Sequence, residues 1–179
     1  MRMKLAWLAN TRPDCLLEIS KLAQVTKERF EQEPRECIKH INRVVKYATR
    51  NRLTLRVPRL DVNTVRVVGF ADASFAGNYD LSSKLGFIVV LADAKNECVP
   101  IAFNSYKARR VTRSAMTAEV IAFSDMVNAA ITLARELETP LGHPIHPQLH
   151  TDSKGLFDVI SKGSRTAEKR LMLDIAAAR

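Results

Sequence analysis

Three short β-branched runs stand one after another in the middle of the chain: VRVVGFAD (65–72), KLGFIVVLAD (84–93) and CVPIAFNSYK (98–107). The connections carry turn chemistry, Gly77 and Asn78 in the first and the polar AKNE in the second, so the three read as an antiparallel meander. A long helical stretch follows from about Ser114, a good N-cap, to Glu138. HPIHPQ (143–148) then breaks the chain before a fourth short strand, QLHTD (148–152). A helix covers 153–161, Lys162–Gly163 ends it, and a last helix starts near Thr166. The order β-β-β-α-β-α-α predicts an α/β fold with a mixed sheet, the fourth strand returning parallel beside the first.

Residues 1–50 have a different texture. Pro13 and Asp14 sit where a helix begins, and Leu16, Ile19, Leu22 and Ala23 recur at helical spacing. A second helix is expected from Pro34, with Ile38, Ile41, Val44, Val45 and Ala48 on one side and Arg35, Lys39, Arg43 and Lys46 on the other. Two such helices cannot bury both apolar stripes alone, so this segment is expected to dock on something, with Trp7 and Tyr47 packed between helices. Residues 51–64 are polar, contain Pro58, and read as a linker or edge strand. The expected organisation is therefore a helical segment (1–50), a linker (51–64) and an α/β domain (65–179).

Charge points to a polyanionic partner: 28 Lys and Arg against 19 Asp and Glu leave a net +9. The longest apolar runs, such as Gly86–Ala92, are strand-length, so no membrane partner is expected. Arg12, Pro13 and Asp14 interrupt the N-terminal apolar run before any cleavage site, and no signal peptide is read. Cys15, Cys37 and Cys98 form no CxxC pair, which fits neither a disulfide framework nor a zinc site and implies reduced thiols in an intracellular protein. Glycine-rich phosphate loops, GxSxG and HExxH are all missing from the sequence.

Four acids stand out by position. Asp72 and Asp152 are placed at the C-terminal ends of the first and fourth strands. If these are parallel neighbours about 4.8 Å apart, their carboxylates converge at the edge where such sheets hold ligands. Glu119 shares a helical line with Ala115, Ala122 and Met126, which turns it toward the sheet; Asp174 lies among Leu171, Leu173 and Ile175. Singly, each has a structural reading: a turn or cap for Asp72 and Asp152, the helix dipole or a pair with Arg113 for Glu119, a pair with Lys169 or Arg170 for Asp174. Together, converging carboxylates must protonate, pair with a cation or bind metal, and an all-oxygen set suits Mg²⁺ or Mn²⁺.

LANTRPD (8–14), HINRVVKYA (40–48), FADASFAG (70–77), LSSKLGFIVVL (81–91), SAMTAEVIA (114–122), HTDSKGLFDVI (150–160) and KRLMLDIAAAR (169–179) follow one another in order. The series resembles the ribonuclease H domain of copia-type retrotransposon polyproteins, preceded by the end of the reverse transcriptase. The resemblance implies a ribonuclease H-like fold and an endonuclease that cuts the RNA strand of RNA–DNA hybrids during reverse transcription. It implies Asp72, Glu119, Asp152 and Asp174 as catalytic and metal-binding residues around two ions, with Asp72 shared. A Glu between the first and second Asp is the ribonuclease H order; integrases on the same fold place theirs last. Lys107, Arg109, Arg110 and Arg113 are candidate phosphate contacts, and Ser74, Asn104 and Ser153 candidate polar contacts to the hybrid. The reverse transcriptase part of a parent polyprotein is a further expected partner, and the expected compartment is a cytoplasmic particle or the nucleus. The chain departs from the family pattern at SKGSRTAEKR (161–170), which lacks the usual His, and at Phe103, which replaces a Trp. A non-cleaving remnant that binds nucleic acid or protein is the alternative function, and a structural connector to a polymerase a third.

Overall fold

The computed structural model describes residues 2–53, 56–78, 80–162 and 175 of the chain. Two compact units are present, Met1–Arg56 and Val57–Arg179.

The first unit is helical: α1 (Arg2–Leu8), a 3₁₀ turn (Pro13–Cys15), α2 (Leu16–Ala23), α3 (Lys27–Gln32) and α4 (Pro34–Arg50). Pro34 at the start of α4 and the Thr26 hydroxyl accepting from the Arg29 N–H at 3.2 Å set two of the helix starts. Leu5, Cys15, Ile19, Leu22 and Val44 form a small core of the unit's own, with Ile41, Val45 and Ala48 against it. Arg12 braces it, pairing with Asp14 at 2.8 Å and donating to the Ala48 carbonyl at 3.1 Å. The short α1 therefore supplies part of the cover that the two longer helices lack. Trp7 does not pack between helices: Leu5 takes the inward position, and two residues further on Trp7 is 75% exposed. Tyr47 is likewise exposed, to 46%.

The second unit contains β1 (Arg66–Ser74), β2 (Lys84–Ala92), β3 (Cys98–Lys107), α5 (Ala115–Leu141), β4 (Gln148–Thr151) and α6 (Lys154–Lys162). The sheet order is β3-β2-β1-β4, antiparallel within the meander and parallel between β1 and β4, as expected for a ribonuclease H-like mixed sheet. β1 is longer than the sequence reading: Ala73 and Ser74 continue the ladder opposite Leu85 and Lys84, so Asp72 lies inside the strand, not at its end. Residues 57–64 belong to this unit; the Asp61 N–H donates to buried Asp93 and the Ala94 N–H to the Thr64 hydroxyl.

α5 covers one face of the sheet. Ala118, Ala122, Phe123, Met126, Val127 and Ala130 pack against Val67, Ala71, Leu85 and Val89, with Leu156 and Ile175 completing the core. The helix is long and apolar enough to cross a membrane by length and composition alone, but its apolar side is accounted for by this packing. It runs past Pro140 and stops where Gly142 adopts φ 74°, a left-handed C-cap.

Gly69 sets how close α5 comes to β1. A Cβ there would lie 2.7 Å from the Met126 sulfur and 3.2 Å from Leu149 Cδ2. Gly69→Val should therefore lower stability by about 1–3 kcal/mol, read as an earlier urea midpoint at unchanged slope.

Candidate functional site

The β1–β4 register runs from Val68 opposite Gln148 to Ala71 opposite Thr151, so the next residue on each strand is an aspartate, Asp72 and Asp152. Glu119 arrives from α5, whose start is fixed by Ser114: its Oγ accepts from the Thr117 N–H at 3.1 Å. Carboxylate oxygens of Asp72, Glu119 and Asp152 lie within 4.8 Å of one another. Asp72 and Asp152 are exposed and Glu119 is half-buried.

Among the described residues no positive side chain neutralises this cluster: none of the three forms an ion pair, and Arg113 does not pair with Glu119. Burial first, then the charges of Asp72 and Asp152, push the Glu119 carboxyl up to about 7, against a smaller opposing pull from the Ala73 N–H. Three oxygen ligands held together against their own repulsion, without His or Cys, are compatible with a hard divalent cation. Asp174 lies outside the described residues.

The candidate hybrid contacts divide. Asn104, Lys107, Arg109 and Arg110 line one cleft of about 550 Å³ beside Tyr106, Ser124 and Asp125, between β3 and α5. Inside it the Tyr106 hydroxyl donates to Asp125, and burial followed by that neighbour raises the Tyr106 pKa. Lys107 bonds Asp80, whose carboxyl it holds well below the usual range. Ser74 and Arg113 are exposed outside this cleft. Ser153 is engaged at the start of α6, where its Oγ accepts from the Leu156 N–H at 3.4 Å and its own N–H donates to the Thr151 hydroxyl at 3.1 Å.

Two residues absent from the sequence-derived set brace the site. Ser83, 1% exposed, meets the Thr112 hydroxyl at 2.5 Å and accepts from the Ala76 N–H at 3.1 Å. Its carbonyl takes the Ala108 N–H at 2.9 Å. These bonds tie the loop after Asp72's strand to the segment leading into Glu119's helix. The only sequence trace of them is hydroxyl residues in two polar stretches, which carries no periodicity.

No protein-family model matches the sequence, and no curated protein does. Among solved structures, the chain is similar to RNase H1 from the halophilic archaeon Halobacterium salinarum, at 19% identity and a TM-score of 0.47 over 64% of this chain and 74% of that one. It is similar to LC11-RNase H1, a compost metagenome protein solved with an RNA/DNA hybrid, at 15% identity and 0.45 over 62% and 72%. It is also similar to the prototype foamy virus protease–reverse transcriptase, at 19% identity and 0.39, over 68% of this chain but 16% of that one. These are likenesses of chain path at low identity; the chemistry of the site rests on its own three carboxylates.

Proposed function

We propose that the chain is a metal-dependent ribonuclease H, hydrolysing the RNA strand of RNA–DNA hybrids. The observation that supports this reading is the convergence of Asp72, Glu119 and Asp152, with no ion-pair partner among the described residues, just beyond the last β1–β4 pair. Asp72, Glu119 and Asp152 would hold the cation, with Asp174 as the fourth carboxylate that the resemblance implies. Mg²⁺ or Mn²⁺, two ions in this reading, would supply an activated water and neutralise the charge developing on the phosphate. The protein's own contribution is to fix the ligands. The β1–β4 ladder sets Asp72 against Asp152, and Ser114 and the Ser83–Thr112 bond set the helix that presents Glu119. Lys107, Arg109, Arg110 and Arg113 would meet phosphates, and Ser74, Asn104 and Ser153 sugar or base edges. The motif series supports a place in retroelement reverse transcription, in a cytoplasmic particle or the nucleus.

Cleavage of a hybrid carrying labelled RNA, with Mg²⁺ or Mn²⁺, tests the reading against duplex DNA and duplex RNA. Cuts confined to the RNA of the hybrid and abolished by EDTA are expected. Tight hybrid binding without any cut would replace the enzyme with a binding module.

A further inference from the structure

Most of the net positive charge of the chain belongs to the helical unit and little of it to the unit that carries the carboxylates. Residues 1–56 contain 13 Lys and Arg against 6 Asp and Glu, a net +7; residues 57–179 contain 15 against 13, a net +2. Within the helical unit, α4 concentrates it: Arg35, Lys39, Arg43, Lys46 and Arg50, with Glu36 as the one acid of the helix. At about 100° per residue these five fall within roughly 80° of arc, along a face about 22 Å long. The opposite side holds Cys37, Ile41, Val44 and Ala48, facing the unit's interior. All five basic residues are exposed. Lys39 bonds Glu36 at 2.7 Å in an exposed pair, and Glu36 also feels the Arg43 charge. Among the described residues Arg35, Lys46 and Arg50 form no ion pair.

A face that serves only solubility interleaves both signs and gains i,i+4 pairs. This one instead sets like charges at i,i+4 three times, at 35/39, 39/43 and 46/50, which opposes the helix. A polyanion laid along it relieves that repulsion. A lipid surface fits less well, because an interfacial helix needs its apolar side free to insert and α4 has its own buried in a core. We infer that the Arg35–Arg50 face of α4 is a second nucleic-acid surface, binding the phosphate backbone of a duplex without base readout. It goes beyond the ribonuclease reading and needs no metal.

The test uses the full chain in EDTA, where no cleavage occurs, and the anisotropy of a fluorescent RNA–DNA hybrid across a range of KCl concentrations. Arg43→Gln/Lys46→Gln/Arg50→Gln should weaken binding about tenfold or more at low salt and cut the slope of log K against log salt by about 2–3, roughly 0.9 per lost phosphate contact. Lys95→Gln/Lys154→Gln/Lys162→Gln, with the same charge change in the other unit, should leave the slope near that of the unmodified chain. Helicity and melting temperature of the α4 variant should hold or rise. Equal slope losses in both triple variants, no loss in the α4 variant, or a loss seen only with anionic phospholipid vesicles would each overturn the inference. Stripe-dependent binding by a chain that never cuts would sink the ribonuclease reading alone; cutting with an unchanged slope in the α4 variant would sink this one alone.

Discussion

Asp72→Asn should lower hybrid cleavage by at least about a hundredfold, the scale expected when one preorganised charge is removed from a phosphoryl-transfer site. The same variant should make the metal-free chain more stable. Asp72, Glu119 and Asp152 hold ligand oxygens within 4.8 Å of one another, and the charges of Asp72 and Asp152 help drive Glu119 up to about 7. Removing one charge relieves the other two. A gain of about 0.5–2 kcal/mol, seen as a higher melting temperature in EDTA, is the expected sign and scale of this trade between activity and stability. Loss of activity accompanied by loss of stability would make Asp72 a structural residue instead. Asn is the proper probe because it keeps the shape and the β1 ladder position opposite Gly86.

Metal binding should depend steeply on pH below neutrality. With Glu119 titrating at about 7, a cation entering at lower pH displaces one proton, so its apparent affinity should rise about tenfold per pH unit up to about pH 7 and flatten above. Without metal the stability of the fold runs the other way. The folded value lies above the ordinary 4.5, so the folded chain holds more protons than the unfolded chain between those limits. Glu119's contribution is fully present below pH 4.5 and is lost as the pH rises through about 7. Mn²⁺ titration by calorimetry and urea unfolding in EDTA, both between pH 5 and 8, measure the two trends. Glu119→Gln should flatten both; a pH dependence that survives it would assign the proton elsewhere.

The meander was legible because its three strands carry β-branched residues between polar turns, and α5 because Ser114 caps it. What was misjudged depended on distant partners. Ala73 and Ser74 are weak strand formers, and only pairing with Leu85 and Lys84 keeps them in β1. The long helix, read as ending at Glu138, runs on past Pro140 to Leu141, and its end is set by Gly142. Trp7 looked like core because it is large and apolar, but the turn of α1 gives the inward place to Leu5. The convergence of the three carboxylates was readable from the parallel return of the fourth strand and the helical phase of Glu119, although β1 runs two residues past Asp72. The Ser83–Thr112 bond was not, since it joins two loops 29 residues apart.

β4 is four residues long and, among the described residues, stands at the edge of the sheet and pairs with β1 alone. Its last partners, Ala71 and Thr151, stand 80 residues apart, whereas the meander pairs are local. Loop closure of that length is slow relative to hairpin formation, so β4 should dock late in folding and be the first strand to part in the native state. Its amide protons should exchange well before those of β2. The seam that opens lies directly beneath Asp72 and Asp152, so any ligand bonded to both acts as a kinetic latch, slowing unfolding more than it speeds folding.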